Sequence, residues 1–162
     1  SCLDYQSLFC AAKNLGIFLS ENDSWEDLVF KILLDRIEPH LGRSRPTLLH
    51  DYPEPMALLS KKNAKDPSIA ERFEVYIGGL EVANGFTELN DPKEQRERWK
   101  NELDFRHNRN PEDQPPLDKD FLRALEVGMP PAAGVAMGLD RLIMLLGGYN
   151  DIEQVRCFPL DP

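Results

Sequence analysis

Apolar residues three or four positions apart predict two amphipathic helices near the start of the chain, over 5–16 and 25–38. The second helix has a capping sequence at its start, in which Asp27 follows Ser24 by three positions. Pro39 ends this helix, because proline cannot continue the helical hydrogen-bond pattern. The first part of the chain is therefore expected to be helical.

Apolar and polar residues alternate over 71–77, which predicts a half-buried β-strand. Gly78-Gly79 follows directly and is a two-residue turn sequence, so the chain is expected to return as a second strand. With this turn, Glu74 lies opposite Ala83. The middle of the chain therefore predicts a β-hairpin.

The other elements are predicted from their start and stop residues. Asp91 followed by Pro92 is a strong helix start, and Gly128 is typical of the position after a helix end. The elements are a strand at 46–50, a loop at 52–69 with one helical turn at most, helices at 92–107 and 118–127, a proline-rich loop at 110–117 and a strand–helix pair at 134–146. Since strands and helices do not alternate as β-α-β units, the fold class is α+β, an antiparallel β-sheet flanked by helices.

The composition is that of one globular domain of 162 residues with a formal net charge of −9. We expect no membrane association, because no apolar run is long enough for a membrane span and no leader sequence is visible. The three cysteines lack the spacing of a disulfide framework or a zinc site, which suits a cytoplasmic protein. The negative charge disfavours nucleic-acid binding by this segment alone.

A glycine-containing strand and an apolar helix meet at residues 134–142. Arg141 lies at the start of this helix, although cations favour the opposite end of a helix. An anion bound at the helix N-terminus would explain the position of Arg141, and Gly138 would let a phosphate approach the backbone. The alternative is a buried strand–helix turn with an arginine on the surface.

Two carboxylates lie on one face of the predicted hairpin. Glu74 and Glu81 are diagonal neighbours, which places them about 7–8 Å apart. One or two carboxylates together with substrate phosphates are a usual set of Mg²⁺ ligands. The alternative is a solvated strand face on which Arg72 screens the acidic side chains.

Glu88 has a less certain place on the hairpin. Simple alternation puts Glu88 on the face opposite Glu81. A β-bulge at Asn84-Gly85 would bring it to the same face, where it could pair with the ammonium group of a ligand. Without a bulge, Glu88 is an exposed acidic residue in a loop.

These blocks together resemble a known family. The hallmark hairpin of the class II lysyl-tRNA synthetases resembles residues 71–91, ERFEVYIGGLEVANGFTELND, and motif 3 of that family resembles residues 134–142, GVAMGLDRL. Pro46-Thr47 and Tyr52-Pro53 resemble the strand that precedes the hairpin. The likeness is good over 46–162 and loose before it, and it implies an antiparallel sheet flanked by helices.

The resemblance implies an ATP-dependent ligase that activates lysine as an aminoacyl adenylate. Arg141 would be the catalytic residue that clamps the triphosphate. The residues implied for Mg²⁺ are Glu74 and Glu81, those for ATP are Glu81, Val82, Gly138 and Arg141, and those for lysine are Asn84, Glu88 and Ala136. Among these, Glu88 would face the substrate ammonium and Gly138 would lie under the adenine.

Two departures from the family pattern matter. No counterpart of motif 1 or motif 2 is visible, so 1–162 resembles the C-terminal portion of a catalytic domain. We expect it to be inactive alone and its parent protein to be a homodimer.

Ala136 stands where lysyl-tRNA synthetases usually have glycine, as in the paralogue that ligates lysine, preferably (R)-β-lysine, to a lysine of elongation factor P. The expected partners are therefore lysine or β-lysine and elongation factor P. The alternatives are a lysyl-tRNA synthetase fragment that acts on tRNA-Lys and a non-catalytic module that binds a nucleotide or a protein.

Overall fold

A four-stranded antiparallel sheet forms the centre of the computed structural model, which describes residues 4–110, 112 and 115–158. The strands lie side by side in chain order: β1 (Thr47–Pro53), β2 (Ile69–Ile77), β3 (Leu80–Thr87) and β4 (Ala133–Met137). This order needs only a hairpin and longer excursions between neighbouring antiparallel strands. The predicted α+β class with flanking helices is confirmed.

In the described part of the chain, five α-helices accompany the sheet: α1 (Tyr5–Asn14), α2 (Trp25–Ile32), α3 (Pro92–Arg109), α4 (Lys119–Val127) and α5 (Leu139–Gly147). The predicted caps are present. Ser24 and Asp27 form a complete capping box on α2, and the Asp91 side chain accepts from the backbone N–H groups of Lys93 and Glu94. The chain after α2 stays helical through Pro39 to His40, one residue beyond the predicted end, first as a π-helical turn over Leu33–Ile37 and then as a 3-10 turn over Glu38–His40.

The hairpin has the predicted turn but contains a β-bulge. Tyr76 lies opposite Glu81, whereas the next residue of β2, Val75, lies opposite Ala83. Val82 is therefore an extra residue in β3. Because of this insertion, the prediction that Glu74 lies opposite Ala83 is wrong, and Glu74 lies opposite Asn84 instead.

The region predicted as a loop from residue 52 is more regular than expected. β1 continues to Pro53, with an irregularity at Asp51, whose φ of 63° lies in the left-handed region. Proline is tolerated there because β1 is an edge strand, where a missing N–H leaves no strand-pairing bond unmade. One helical turn follows at Glu54–Met56, and Ser60 and Lys62 then form isolated bridges to Glu88 and Ala70.

A buried apolar cluster lies at the end of β1 and the start of β2. Its buried members are Tyr52, Met56, Ala57 and Ala70, and partly buried residues of α2 pack against them. Burial of this apolar area stabilises the fold and fixes the position of β2 relative to α2. No helix among the described residues is long and apolar enough to cross a membrane.

One face of the sheet is apolar and partly open to solvent. Across the four strands, Leu48, Val75, Ala83 and Met137 stand in one row. Leu48 and Met137, at the two edges, are 55% and 53% exposed. Exposed apolar area of this kind is typical of a surface that meets another part of a protein or a partner. The candidate site lies on the opposite face.

Candidate active site

The strand register brings the residues expected to bind ligands to one face of the sheet. Glu74 on β2, Asn84 on β3 and Ala136 on β4 stand directly opposite one another. Glu81 faces Tyr76, which lies two positions from Glu74 and so shares its face. Three strands thus contribute side chains to one face of the sheet.

Glu88 lies on the same face, because the bulge at Val82 shifts the alternation of β3 by one residue. The prediction of a bulge at Asn84-Gly85 is wrong in position, since the bulge comes two residues earlier, but the effect on Glu88 is the one described. A Cβ added at Gly134 would lie 2.6 Å from Oε1 of Glu88, so the carboxylate occupies the space above this glycine. A side chain at position 134 would therefore require the Glu88 carboxylate to shift.

Glu74 is part of a buried network. Its Oε1 accepts from Arg72 Nη2 at 2.6 Å and its Oε2 accepts from the Tyr76 hydroxyl at 2.7 Å. The Arg72 guanidinium also stacks over the Tyr52 ring, 4.5 Å from its centroid. Burial, together with the Glu74 carboxylate, raises the pKa of the Tyr76 hydroxyl above its ordinary value, so this hydroxyl remains a donor. Both oxygens of Glu74 are thus engaged by protein donors.

Among the residues that the structure describes, the Glu81 carboxylate has no donor as close as those of Glu74, and Arg141 Nη1 lies 3.9 Å from its Oε2. Burial raises the pKa of the Glu81 carboxyl, and the negative charge of Glu74 raises it further. A cation placed beside Glu81 would favour the ionised carboxylate and so oppose both of these increases in pKa. Glu81 therefore fits a Mg²⁺ ligand well, whereas Glu74 could contribute only lone pairs not used by Arg72 and Tyr76. Within the described ranges, no three acidic, histidine or cysteine side chains form a metal cluster.

Arg141 comes next to Glu81 through the junction of β4 and α5. The N–H of Gly138 donates to the Val82 carbonyl at 2.9 Å, which starts α5 beside the bulge. Arg141 Nη1 donates to the Glu81 carbonyl at 2.7 Å and lies 3.9 Å from Glu81 Oε2. The Arg141 side chain is half-exposed, so its remaining donors are open to an anion at the helix N-terminus.

Two of the expected ATP-binding residues, Val82 and Gly138, could contact a nucleotide mainly through their main-chain atoms. The Val82 side chain is buried, so a nucleotide would meet only its main chain. Gly138 is exposed, and a Cβ there would lie 3.5 Å from Cδ of Arg141, which is ordinary contact. The fold itself therefore does not require glycine at 138.

Phe86 is a residue of this face that the sequence interpretation did not include. It is half-buried between Asn84 and Glu88 along β3 and lies opposite Gly134. An aromatic ring there forms an apolar wall beside the two polar groups, which suits the aliphatic part of a ligand. Alternation from Asn84 to Glu88 could have indicated Phe86 had the bulge been placed correctly.

Comparison with known proteins finds two groups of relatives with similar sequence identity to this chain. The lysine–tRNA ligase of Carboxydothermus hydrogenoformans is 40% identical over 152 residues, which cover 94% of this chain and 30% of that protein. The elongation factor P–(R)-β-lysine ligases of Haemophilus ducreyi and Vibrio cholerae are 43% and 42% identical over 150 residues. Those matches cover 93% and 91% of this chain and 46% of each ligase.

The chain thus spans between about a third and a half of the length of these curated relatives. The names of these relatives share one feature, the ligation of lysine or β-lysine. The sequence model of one family, described as class II tRNA synthetases (D, K and N), matches residues 31–162, which include all four strands and every residue of the candidate site. The chain therefore belongs to the class II tRNA synthetases of the D, K and N type.

Proposed function

We propose that the natural protein containing this sequence activates lysine or β-lysine with ATP and ligates it to an acceptor. The observation that carries this proposal is the grouping of Glu81, Arg141 and Glu88 on one face. An anion-binding arginine and a cation-binding carboxylate lie at one end of this face. At the other end, Glu88 offers a second carboxylate beside the Phe86 ring. The arrangement suits a triphosphate and a cationic amino acid bound side by side.

In the proposed reaction, a carboxylate oxygen of the amino acid attacks the α-phosphorus of ATP and pyrophosphate leaves. This chain would contribute position and charge. Arg141 and the N-terminus of α5 would hold phosphate oxygens, and Glu88 would hold the substrate ammonium with Asn84 and Phe86 beside it. Mg²⁺, held by Glu81 with a contribution from Glu74, would neutralise phosphate charge. Such positioning and charge neutralisation account for most of the catalysis in phosphate chemistry of this type.

As acceptor we favour a lysine of elongation factor P. Ala136 supports this choice, because a methyl group beside Asn84 narrows the floor of the amino-acid pocket. The net charge of −9 supports it too, since a surface that binds tRNA is usually basic. The second candidate is tRNA-Lys, favoured by the matches to lysine–tRNA ligases. We propose a cytoplasmic homodimer in either case.

The first test is amino-acid-dependent ATP–pyrophosphate exchange by the natural protein, with α-lysine and (R)-β-lysine compared. We expect faster exchange with (R)-β-lysine. Exchange with α-lysine alone would favour the tRNA ligase, and exchange with neither would support a non-catalytic binding module. We expect no exchange from the isolated polypeptide 1–162, proposed as the C-terminal portion of a catalytic domain.

The Ala136→Gly variant tests the pocket. We expect its preference to shift towards α-lysine by about 5- to 150-fold, because one methyl group in a pocket is worth about 1–3 kcal/mol. The measurement is the ratio of kcat/KM for the two lysines in the exchange assay.

Ala133→Gly is the matched control for this variant. It lies on the same strand, but opposite Thr87 and on the other face. It adds the same backbone freedom without changing the pocket floor. An equal shift in both variants would contradict the role given to Ala136.

A further inference from the structure

We infer that Arg98, on α3, positions Glu88 by holding in place the segment 57–62, which lies beside it. This segment is called the bridging segment below. The expected effect of Arg98 on amino-acid binding rests on the proposed function. The expected effect of Arg98 on the backbone of the bridging segment does not.

The bridging segment fills the gap between the start of β2 and the end of β3. Lys61 donates its N–H to the Thr87 carbonyl at 2.8 Å, and Leu89 donates its N–H to the Leu59 carbonyl at 3.0 Å. Ser60 therefore lies directly opposite Glu88. On its other edge the segment accepts the N–H of Glu71 at the Lys61 carbonyl, at 2.9 Å.

Glu88 is thus held by backbone from both sides. Its own N–H donates to the Ala132 carbonyl at 3.0 Å, and the bridging segment lies along its other edge. β3 ends as a regular strand at Thr87, so these flanking contacts continue the strand to Glu88. The orientation of the carboxylate over Gly134 therefore depends on the bridging segment staying in place.

Arg98 is the side chain that holds the bridging segment to α3. Its Nη1 donates to the Leu58 carbonyl at 2.9 Å and to the Ser60 carbonyl at 2.8 Å, and its Nη2 donates to Glu94 Oε1 at 2.6 Å. Glu94 is one turn away on the same helix and fixes the guanidinium in this direction. Nη1 therefore bonds both carbonyls while Nη2 is bound to Glu94, and a lysine ammonium, which has a single nitrogen, would hold the segment less rigidly.

The backbone of the bridging segment needs this hold. Leu58 has a φ of 51°, a left-handed conformation that is unfavourable for a residue with a branched side chain. Its side chain is 66% exposed, so packing does little to maintain the conformation. Hydrogen bonds from Arg98 to the carbonyls of Leu58 and Ser60, on either side of Leu59, compensate for that strain.

Lys62 makes a second, weaker attachment at the end of the bridging segment. Its Nζ lies 2.9 Å from Glu54 Oε1 and 3.5 Å from Glu94 Oε1. The hydrogen bond that Lys62 donates to Glu54 raises the pKa of the Lys62 ammonium, so it stays charged at neutral pH. Lys62 is partly exposed and holds no backbone carbonyl, so Arg98 remains the main attachment.

Arg98→Met is the test, with Arg96→Met as its matched control. Arg96 lies on the same helix, but its ion pair with Glu126 joins α3 to α4 and does not touch the bridging segment. In the natural protein we expect Arg98→Met to speed amide hydrogen exchange at Lys61 and Leu89 by about tenfold or more, since it removes two charge-assisted bonds. Arg96→Met should leave both amides protected, and Arg98→Lys should lie between.

The exchange assay gives a second readout. Arg98→Met should raise the KM for the preferred lysine by about tenfold, with the KM for ATP unchanged, because only the orientation of Glu88 is lost. Discrimination against norleucine, which lacks the side-chain ammonium, should fall in parallel. A general loss of folding would instead lower the activity towards both substrates and the melting temperature together.

The results of these two assays distinguish a failure of the inference about Arg98 from a failure of the proposed function. Unchanged amide exchange at Lys61 and Leu89 in Arg98→Met overturns the inference, whatever the activity. Faster amide exchange with an unchanged KM for lysine also overturns it, because Glu88 would then not depend on the bridging segment. If the wild-type protein activates neither lysine, the proposed function fails, and amide exchange still decides whether Arg98 holds the backbone beside Glu88.

Discussion

Replacing Glu74 with alanine is expected to lower the free energy of unfolding by about 3–5 kcal/mol. The reason is Arg72, which is only 8% exposed and has Glu74 as its one carboxylate partner among the ion pairs of the described residues. Without Glu74, a buried guanidinium would keep its full charge with only the Tyr52 ring and the Met56 carbonyl beside it, and neither carries a balancing negative charge. Urea unfolding of the natural protein, followed by circular dichroism, measures the change.

Glu71→Ala is the control for this prediction, because Glu71 lies on the same strand and points to the other face. Its effect should stay within about 1 kcal/mol, as for most surface changes. Replacing both Arg72 and Glu74 with apolar residues of similar volume should restore much of the lost stability. A loss below about 1 kcal/mol for Glu74→Ala would mean that water reaches Arg72 and that the network is not closed.

The hairpin illustrates how far the sequence alone can go. Alternation and Gly78-Gly79 predict both strands and the turn correctly, because local spacing and turn chemistry decide them. The bulge at Val82 could not be predicted in this way, since a β-branched apolar residue is typical of a regular strand. Its position is favoured by a contact from elsewhere in the chain, in which the Val82 carbonyl accepts the N–H of Gly138.

The bridging segment shows a second limit. Residues 57–62 have no alternation, and their strand-like pairing arises only because β2 and β3 leave a gap of the right width beside Glu88. Arg98 belongs to a helix that is mostly polar, so its sequence indicates a solvated surface. Its partners are main-chain carbonyls, which no side-chain pattern records.

The candidate site could be predicted only in part from the sequence, for a related reason. The family resemblance suggested which acids matter, but Glu74 and Glu81 look alike in sequence and differ in surroundings. Glu74 is 6% exposed and engaged at both oxygens, whereas Glu81 keeps a raised pKa and a free carboxylate edge. Burial and partners, which depend on the packing of Arg72 and Tyr76, decide the difference.

Arg141→Ala is expected to lower kcat/KM for ATP in the exchange assay by about 10²–10³-fold, the usual effect of removing one preorganised donor from developing charge. Its half-exposed side chain makes no buried contact, so stability should change little. Arg156→Ala is the control, because Arg156 is also partly exposed and pairs with Glu153 three residues earlier. A similar loss in both variants would contradict a specific role for Arg141.

The pH dependence of Arg141→Ala gives a sharper test. Burial and the charge of Glu74 raise the pKa of Glu81, and the positive charge of Arg141 opposes this rise. Removing Arg141 should therefore raise the pKa of Glu81 further. Because Glu81 must be ionised to hold Mg²⁺, the acidic limb of the pH–rate profile should move to higher pH in Arg141→Ala and stay in place in Arg156→Ala. A large loss of activity with an unmoved acidic limb would mean that Arg141 acts on the phosphates without influencing Glu81.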